Sequence, residues 1–326
     1  MNLRHLPLLC GLLATAAGSS LVHAEPPLVG DAPVAVPDSK GSFDFLKIDE
    51  AGNRLLAAHT ANGTLDVFDL ADGKLIKHIP TGKAQDVAVD AAAGKYYVSV
   101  SKEQKIIIID ARKLEKSGEI KLDGPADAIA IDPKNNCLYV GHDDEKDLWV
   151  IDLKKTAVIK SIAISAGPEV IVYDPAGDRL YQNIKSNDTV LVIDPSTQAI
   201  EKTWTTAPAH GPHGLAYNPE TKHLFCAGSN GKVAVLDTTT GKVIDEEEIA
   251  KGVDQIVFDA GTKRVYCACG SGHLAVIQDG PTEATSLGDI ETIAGAKNVA
   301  CDAKTHAVWI AYSRPEGCFV RRFNVK

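Results

Sequence analysis

From residue 43 onward the chain alternates short apolar runs with acidic turns, and the pattern recurs. One copy reads Asp127-Ala-Ile-Ala-Ile-Asp132-Pro-Lys-Asn-Asn-Cys-Leu-Tyr-Val, and another reads Asp254-Gln-Ile-Val-Phe-Asp259-Ala-Gly-Thr-Lys-Arg-Val-Tyr-Cys. The period inside each run is that of a strand, in which successive side chains point to opposite faces. The turn acid stands at Asp49, Asp90, Asp132, Asp174, Asp259 and Asp302, with Asn218 in the fifth copy, at intervals of 41 to 44 residues. A second acid follows it by 19 or 20 residues, at Asp69, Asp110, Asp152, Asp194, Asp237 and Asp279. Two landmarks that keep one period define a sevenfold repeat.

Each repeat predicts four strands, which in the third copy run over 127–131, 138–140, 148–151 and 158–162. The Asp-Pro and Asp-Ala-Gly stretches suit tight turns, because Asp bonds its own backbone and Gly tolerates positive φ. Asp69-Leu-Ala-Asp-Gly73 and Asp237-Thr-Thr-Thr-Gly241 predict hairpins that close on a left-handed Gly. No stretch keeps a helical period. Four strands in about forty residues, seven times over, predict an all-β fold: a seven-bladed β-propeller with four-stranded blades. Such a ring must close, or its first and last sheets expose their edges. The final repeat ends in its third strand, around Cys318 to Phe323. Pro33-Val-Ala-Val-Pro37 is therefore predicted to supply the missing outer strand of the last blade, with 25–30 read as a linker.

Upstream of the repeats, Arg4 precedes an apolar stretch from Leu6 to Ala17, and Val22-His23-Ala24 supplies small residues before Glu25. This predicts a secretory leader over 1–24, cleaved after Ala24 and too short to span a membrane permanently. The expected organisation is a leader (1–24), an N-terminal segment carrying the closing strand (25–42) and a propeller (43–326). The mature chain is expected to be a monomer in the periplasm or outside the cell. The formal net charge of −9, from 34 basic and 43 acidic residues, repels nucleic acid and anionic lipid on average. Cys10 leaves with the leader. Cys137, Cys226, Cys267, Cys269, Cys301 and Cys318 remain, as buried thiols or as inter-blade disulfides to Cys301 or Cys318.

None of Trp149, Trp204 or Trp309 is followed by Asp, so the WD40 signature is absent. Tyr97-Val98-Ser99-Val100, Tyr139-Val140-Gly141-His142, Val190-Leu-Val-Ile-Asp194 and Val233-Ala-Val-Leu-Asp237 resemble instead the YVTN-type repeat of bacterial exported propellers. The lead-ins Gly124-Pro125, Gly167-Pro168 and Gly211-Pro212 are similar as well. The resemblance runs from Phe43 nearly to the C-terminus and implies a propeller among binding proteins, surface proteins and lactonases.

The first strand of a propeller blade is innermost, so the residues at its start surround one mouth of the central channel. Five positions before each turn landmark stand Asp44, Gln85, Asp127, Glu169, His213, Asp254 and Lys297. Facing one opening, they would hold a ligand, a metal ion or a water-activating base; the alternative is a wet tunnel whose polar groups satisfy the backbone. Ten positions after the landmark, His59 and His142 end their strands on the same side. With His213 and Asp127 they make the candidate ligand set for a divalent metal at the channel mouth. Gly211-Pro-His-Gly also resembles the lead-in of propeller lactonases, which implies hydrolysis with carboxylates and His213 activating water. Cys267-Ala-Cys269 places two thiols on one strand face, about 6 to 7 Å apart, a poor separation for a mutual disulfide. No nucleophile elbow, phosphate loop or His-Glu-x-x-His motif is present. The expected function is a non-catalytic propeller that binds a protein or small-molecule ligand. A lactonase-like hydrolase and a metal-binding accessory protein are the alternatives.

Overall fold

The computed structural model describes residues 26–143 and 145–326, so the leader and its cleavage site lie outside the described residues. Seven antiparallel sheets form the blades of a ring, and blades 1 to 6 each consist of four consecutive strands. In blade 3 these are Ala126–Asp132, Cys137–His142, Asp147–Asp152 and Ala157–Ala163. The two middle strands of each blade are covered on both faces by the neighbouring blades, so they read as unbroken apolar runs. Ile106 to Ile109 in blade 2 are at most 5% exposed, each contributing roughly 1.5–3 kcal/mol by burial. The outer strands meet solvent, and Lys242–Glu248 is exposed at every second position. Apolar side chains gather in seven clusters, one at each junction between neighbouring blades.

The repeating acids fold the turns. The Asp132 carboxylate accepts the amides of Lys134 and Asn135 at 3.0 and 3.1 Å, and Asp110 accepts those of Arg112 and Lys113, both at 2.9 Å. Four residues past each inner landmark the backbone is left-handed, with φ between 52° and 63° at Asn53, Gly94, Asn136, Asp178, Lys222, Lys263 and His306. The outer hairpins place Gly73 and Gly241 at φ 70° and 72°, as their spacing predicts, while Leu114, Thr156 and Gln198 hold the same position at 55°, 52° and 53°.

Blade 7 closes the ring. Its inner strands, Asn298–Cys301, Val308–Arg314 and Gly317–Val325, are completed by two short N-terminal strands. Val34–Val36 pairs with Val320 to Cys318, as expected, and Leu28–Gly30 pairs with Val325 to Phe323. The second pairing corrects the reading of 25–30 as a linker: Leu28 is 2% exposed within the cluster between blades 6 and 7, so its burial holds the segment on the sheet. Between the two strands, Asp31 accepts Arg322 Nε at 2.7 Å and Asn324 Nδ2 at 3.0 Å, and its carbonyl accepts Arg321 Nε at 2.8 Å. All six described cysteines are free thiols; Cys301 is half-buried and the others are buried.

Candidate functional site at the channel mouths

In blades 2 to 6 the inner strand pairs at its first residue and then slips. The slips fall between Ala84 and Val87, Ala126 and Ile129, Pro168 and Ile171, Pro212 and Gly214, and Val253 and Ile256. A bulge of this kind kinks the strand and re-aims the side chains inside it. Gln85, Asp127, Glu169, His213 and Asp254 each lie inside one of the five slips, immediately after the first paired residue. In blades 1 and 7 the inner strands begin at Leu46 and Asn298, just after Asp44 and Lys297. At this level neighbouring blades are stitched directly, Phe45 N–H to the Gln85 carbonyl and Gln255 N–H to the Lys297 carbonyl, both at 3.1 Å. All seven positions are part-exposed.

Four of the seven form a chain of charges. Lys297 Nζ lies 2.6 Å from Asp254 Oδ2. His213 Nδ1 stands between two carboxylates, 3.0 Å from Glu169 Oε2 and 3.4 Å from Asp254 Oδ1. Lys185, which the repeat spacing gave no reason to select, extends the chain with its Nζ 3.2 Å from Glu169 Oε1. Burial opposes protonation of His213, but Asp254 and Glu169 outweigh it and lift the imidazole to about 9. Burial likewise opposes ionisation of Asp254, yet His213 and Lys297 hold it below the usual carboxylate range.

Asp44 and Asp127 behave in the opposite way. Among the described residues neither carboxyl has an ion pair or a side-chain hydrogen bond. Burial first, then the negative charges of Asp254, Asp86 and Glu169, push Asp44 up to about 8 against the pull of Lys297. Burial, Asp44 and Glu169 drive Asp127 well above its ordinary value. The mouth therefore presents two carboxyls that hold their protons more tightly than an ordinary carboxylate, beside an ion-paired chain. Gln85 adds a buried Oε1 without a hydrogen-bond partner among the described residues.

The structure does not bring His59 and His142 to this set. His59 is fully buried, with Nδ1 2.7 Å from Asp66 Oδ2 and its ring stacked 3.8 Å from Phe43. Asp66 also meets His78 Nδ1 and accepts Thr64 Oγ1, both at 2.6 Å. His142 Nδ1 lies 2.7 Å from Asp147 Oδ1, and its ring stacks on Trp149 at 4.1 Å. Each imidazole is drawn into its own blade by an aspartate on the next strand. Among the described residues no group of three or more His, Cys, Asp or Glu could hold a metal ion, so His213, His142, His59 and Asp127 are not assembled as metal ligands.

The opposite mouth has another chemistry. One position before each landmark stand Ile48, Val89, Ile131, Tyr173, Tyr217, Phe258 and Cys301, every one part-exposed. They line two adjoining lobes of about 280 and 630 Å³. Lys47, Ile48, Val172, Tyr173 and Pro175 border both lobes. The alignment of repeats that exposed the charged ring also holds this apolar one, four residues further along each strand.

No protein-family profile and no curated protein matches the chain. Solved structures do match it in fold. A chain of the Kuenenia stuttgartiensis hydrazine synthase superposes with a TM-score of 0.75 at 15% identity, covering 94% of this chain and 98% of that one. A chain of the mitotic checkpoint complex gives 0.79 at 12% identity, covering 98% and 99%. The WD40 repeats of RRP9 give 0.77 at 10% identity, covering 92% and 100%. The protein is a seven-bladed β-propeller, and at these identities the likeness extends to the fold alone.

Proposed function

We propose that this protein is a non-catalytic binding propeller of the YVTN type, exported by its leader, which receives a cationic group of a protein or small-molecule partner at the charged mouth. The observation that carries the reading is the pair Asp44 and Asp127, two part-exposed carboxyls that make no ion pair among the described residues. A lysine or arginine side chain entering the mouth would displace their protons and complete two ion pairs in a partly desolvated setting, where such pairs are strongest. A rigid ring of sheets with connecting loops at its face suits a binding scaffold. One neighbour in fold is a chain of the mitotic checkpoint complex. No helix among the described residues is long and apolar enough to cross a membrane.

Calorimetric titration with tetralysine tests the reading. Because a cation must displace the protons on Asp44 and Asp127, affinity should rise about tenfold between about pH 6.5 and about pH 8.5. The Asp44→Asn/Asp127→Asn double variant should lose that rise, and tetraglutamate should not bind. Tetralysine binding that ignores pH, or its absence, overturns the reading. Export is tested separately by the mass of the chain recovered from a periplasmic fraction, expected to begin at Glu25.

A second reading rests on one further observation. Asp44 held protonated beside Asp254 held ionised is the split that acid–base catalysis uses, and with His213 it would suit lactone hydrolysis. Turnover of a simple lactone that falls by about 10²-fold or more in both Asp44→Asn and His213→Ala would favour that reading over pure binding.

A further inference from the structure

The apolar mouth carries an inference independent of the charged one. Its two lobes share a wall, and together they fall in the size range of small-molecule sites. The walls are fixed. Tyr173 donates its hydroxyl to Asp178 at 3.0 Å, the Tyr217 ring packs 5.4 Å from Tyr181, and prolines at 133, 175 and 219 stiffen the turns at the rim. Lys47 stands in this apolar wall and borders both lobes. Among the described residues it makes no ion pair. Its charge is felt by Asp86, which is buried behind the wall with its carboxylate already accepting the amides of Ile129 at 3.0 Å and Val87 at 2.7 Å. The acid at the edge of the larger lobe, Asp90, accepts the Ala93 amide within its own turn at 2.9 Å.

A cation without an ion pair, set among aromatic and aliphatic walls, is complementary to one kind of molecule. We propose that this vestibule binds an amphiphilic organic monoanion, with its carboxylate at Lys47 and its apolar body against Val172, Tyr173, Tyr217 and Phe258. The anion gains a partner against an apolar wall, and the body covers half-exposed rings that no part of the described chain covers. A neutral molecule of the same shape would gain only the second contact. A cation would meet Lys47 as a like charge.

Equilibrium titration of the whole protein with 2-naphthoate, 2-naphthalenemethanol and 2-naphthylmethylammonium tests this without any variant. The naphthoate should bind one to one and at least about tenfold more tightly than the alcohol, and the ammonium should be the weakest. Lys47→Met, which keeps the apolar stem, should weaken naphthoate about tenfold while leaving the alcohol unchanged. Val172→Trp, which fills the shared wall, should weaken both, with thermal unfolding confirming that each variant is folded. Equal binding of naphthoate and alcohol, an unchanged naphthoate affinity in Lys47→Met, or no naphthoate binding at millimolar concentration overturns the proposal.

Discussion

At the scale of single residues, environment rather than identity separates the aspartates of the ring. Asp254 has two cations and stays ionised, whereas Asp44, with the same side chain, is half-buried without an ion pair among the described residues and is raised from 3.8 to about 8. The folded protein therefore holds this proton more tightly than the unfolded chain, and stability is lost as pH rises from about 4 towards about 8. His213 runs in the same direction: its contribution is complete below 6.5 and fades as pH rises through about 9. Thermal unfolding should thus show a midpoint that falls between about pH 6 and pH 9. Asn at position 44 should remove most of the first component, stabilising the protein at about pH 8.5 by on the order of 1–3 kcal/mol and changing little at about pH 5. A destabilised Asp44→Asn at alkaline pH would refute the buried-carboxyl account. Asp66 is the contrasting case, fully buried and satisfied by His59, His78 and Thr64. Asp66→Ala strips the Nδ1 partner from two imidazoles and should cost about 3–5 kcal/mol, as breaking a buried pair does, measured by denaturant unfolding.

At the scale of elements, the last blade depends on chain from the other end of the sequence. Leu28 and Val36 are 2% and 5% exposed, and each should contribute roughly 1.5–3 kcal/mol by burial, besides the ladder to Gly317–Val325. A chain that begins after Val36 should melt well below one that begins at Glu25 and self-associate through the bared edge. Light scattering that found it monomeric and equally stable would contradict the role given to these strands. The blades, the closing strand and the hairpin glycines were legible because each is written as a period or as an imbalance in strand count. The Leu28 strand was not legible, since three residues beside two prolines carry no period and are held only by what they bury. His59 and His142 were misplaced for a related reason: strand-end position gives the side of the ring, but Asp66 and Asp147, on the next strand, decide where each imidazole turns. The bulges could be suspected only from the polar residue that recurs five positions before each landmark.

At the scale of the whole molecule, the inner strands make a channel with unlike ends. The charged ring and the apolar ring are four residues apart in every blade, about 13 Å of extended chain. The apolar end escaped sequence reading because Ile, Val, Tyr, Phe and Cys are ordinary strand residues, and only their shared half-exposure distinguishes them. The spacing governs how occupants of the two ends would affect one another. A cation at one mouth and an anion at the other attract, but 13 Å exceeds the screening length of about 8 Å at physiological salt. Between them lies Asp86, whose carboxylate is fixed by the Val87 and Ile129 amides, feels Lys47 across the wall and raises Asp44. Sites this far apart, joined through a carboxylate that the backbone holds in place, should couple weakly, by about 0.5 kcal/mol. Saturating tetralysine should therefore change the naphthoate affinity by less than about threefold at physiological salt. Any residual effect should be a strengthening that grows as salt is lowered, because screening is all that separates two opposite charges in a fixed frame. A weakening, or competition for a single site, would mean that the two ligands meet in the channel, and the division of the molecule into two mouths would have to be abandoned.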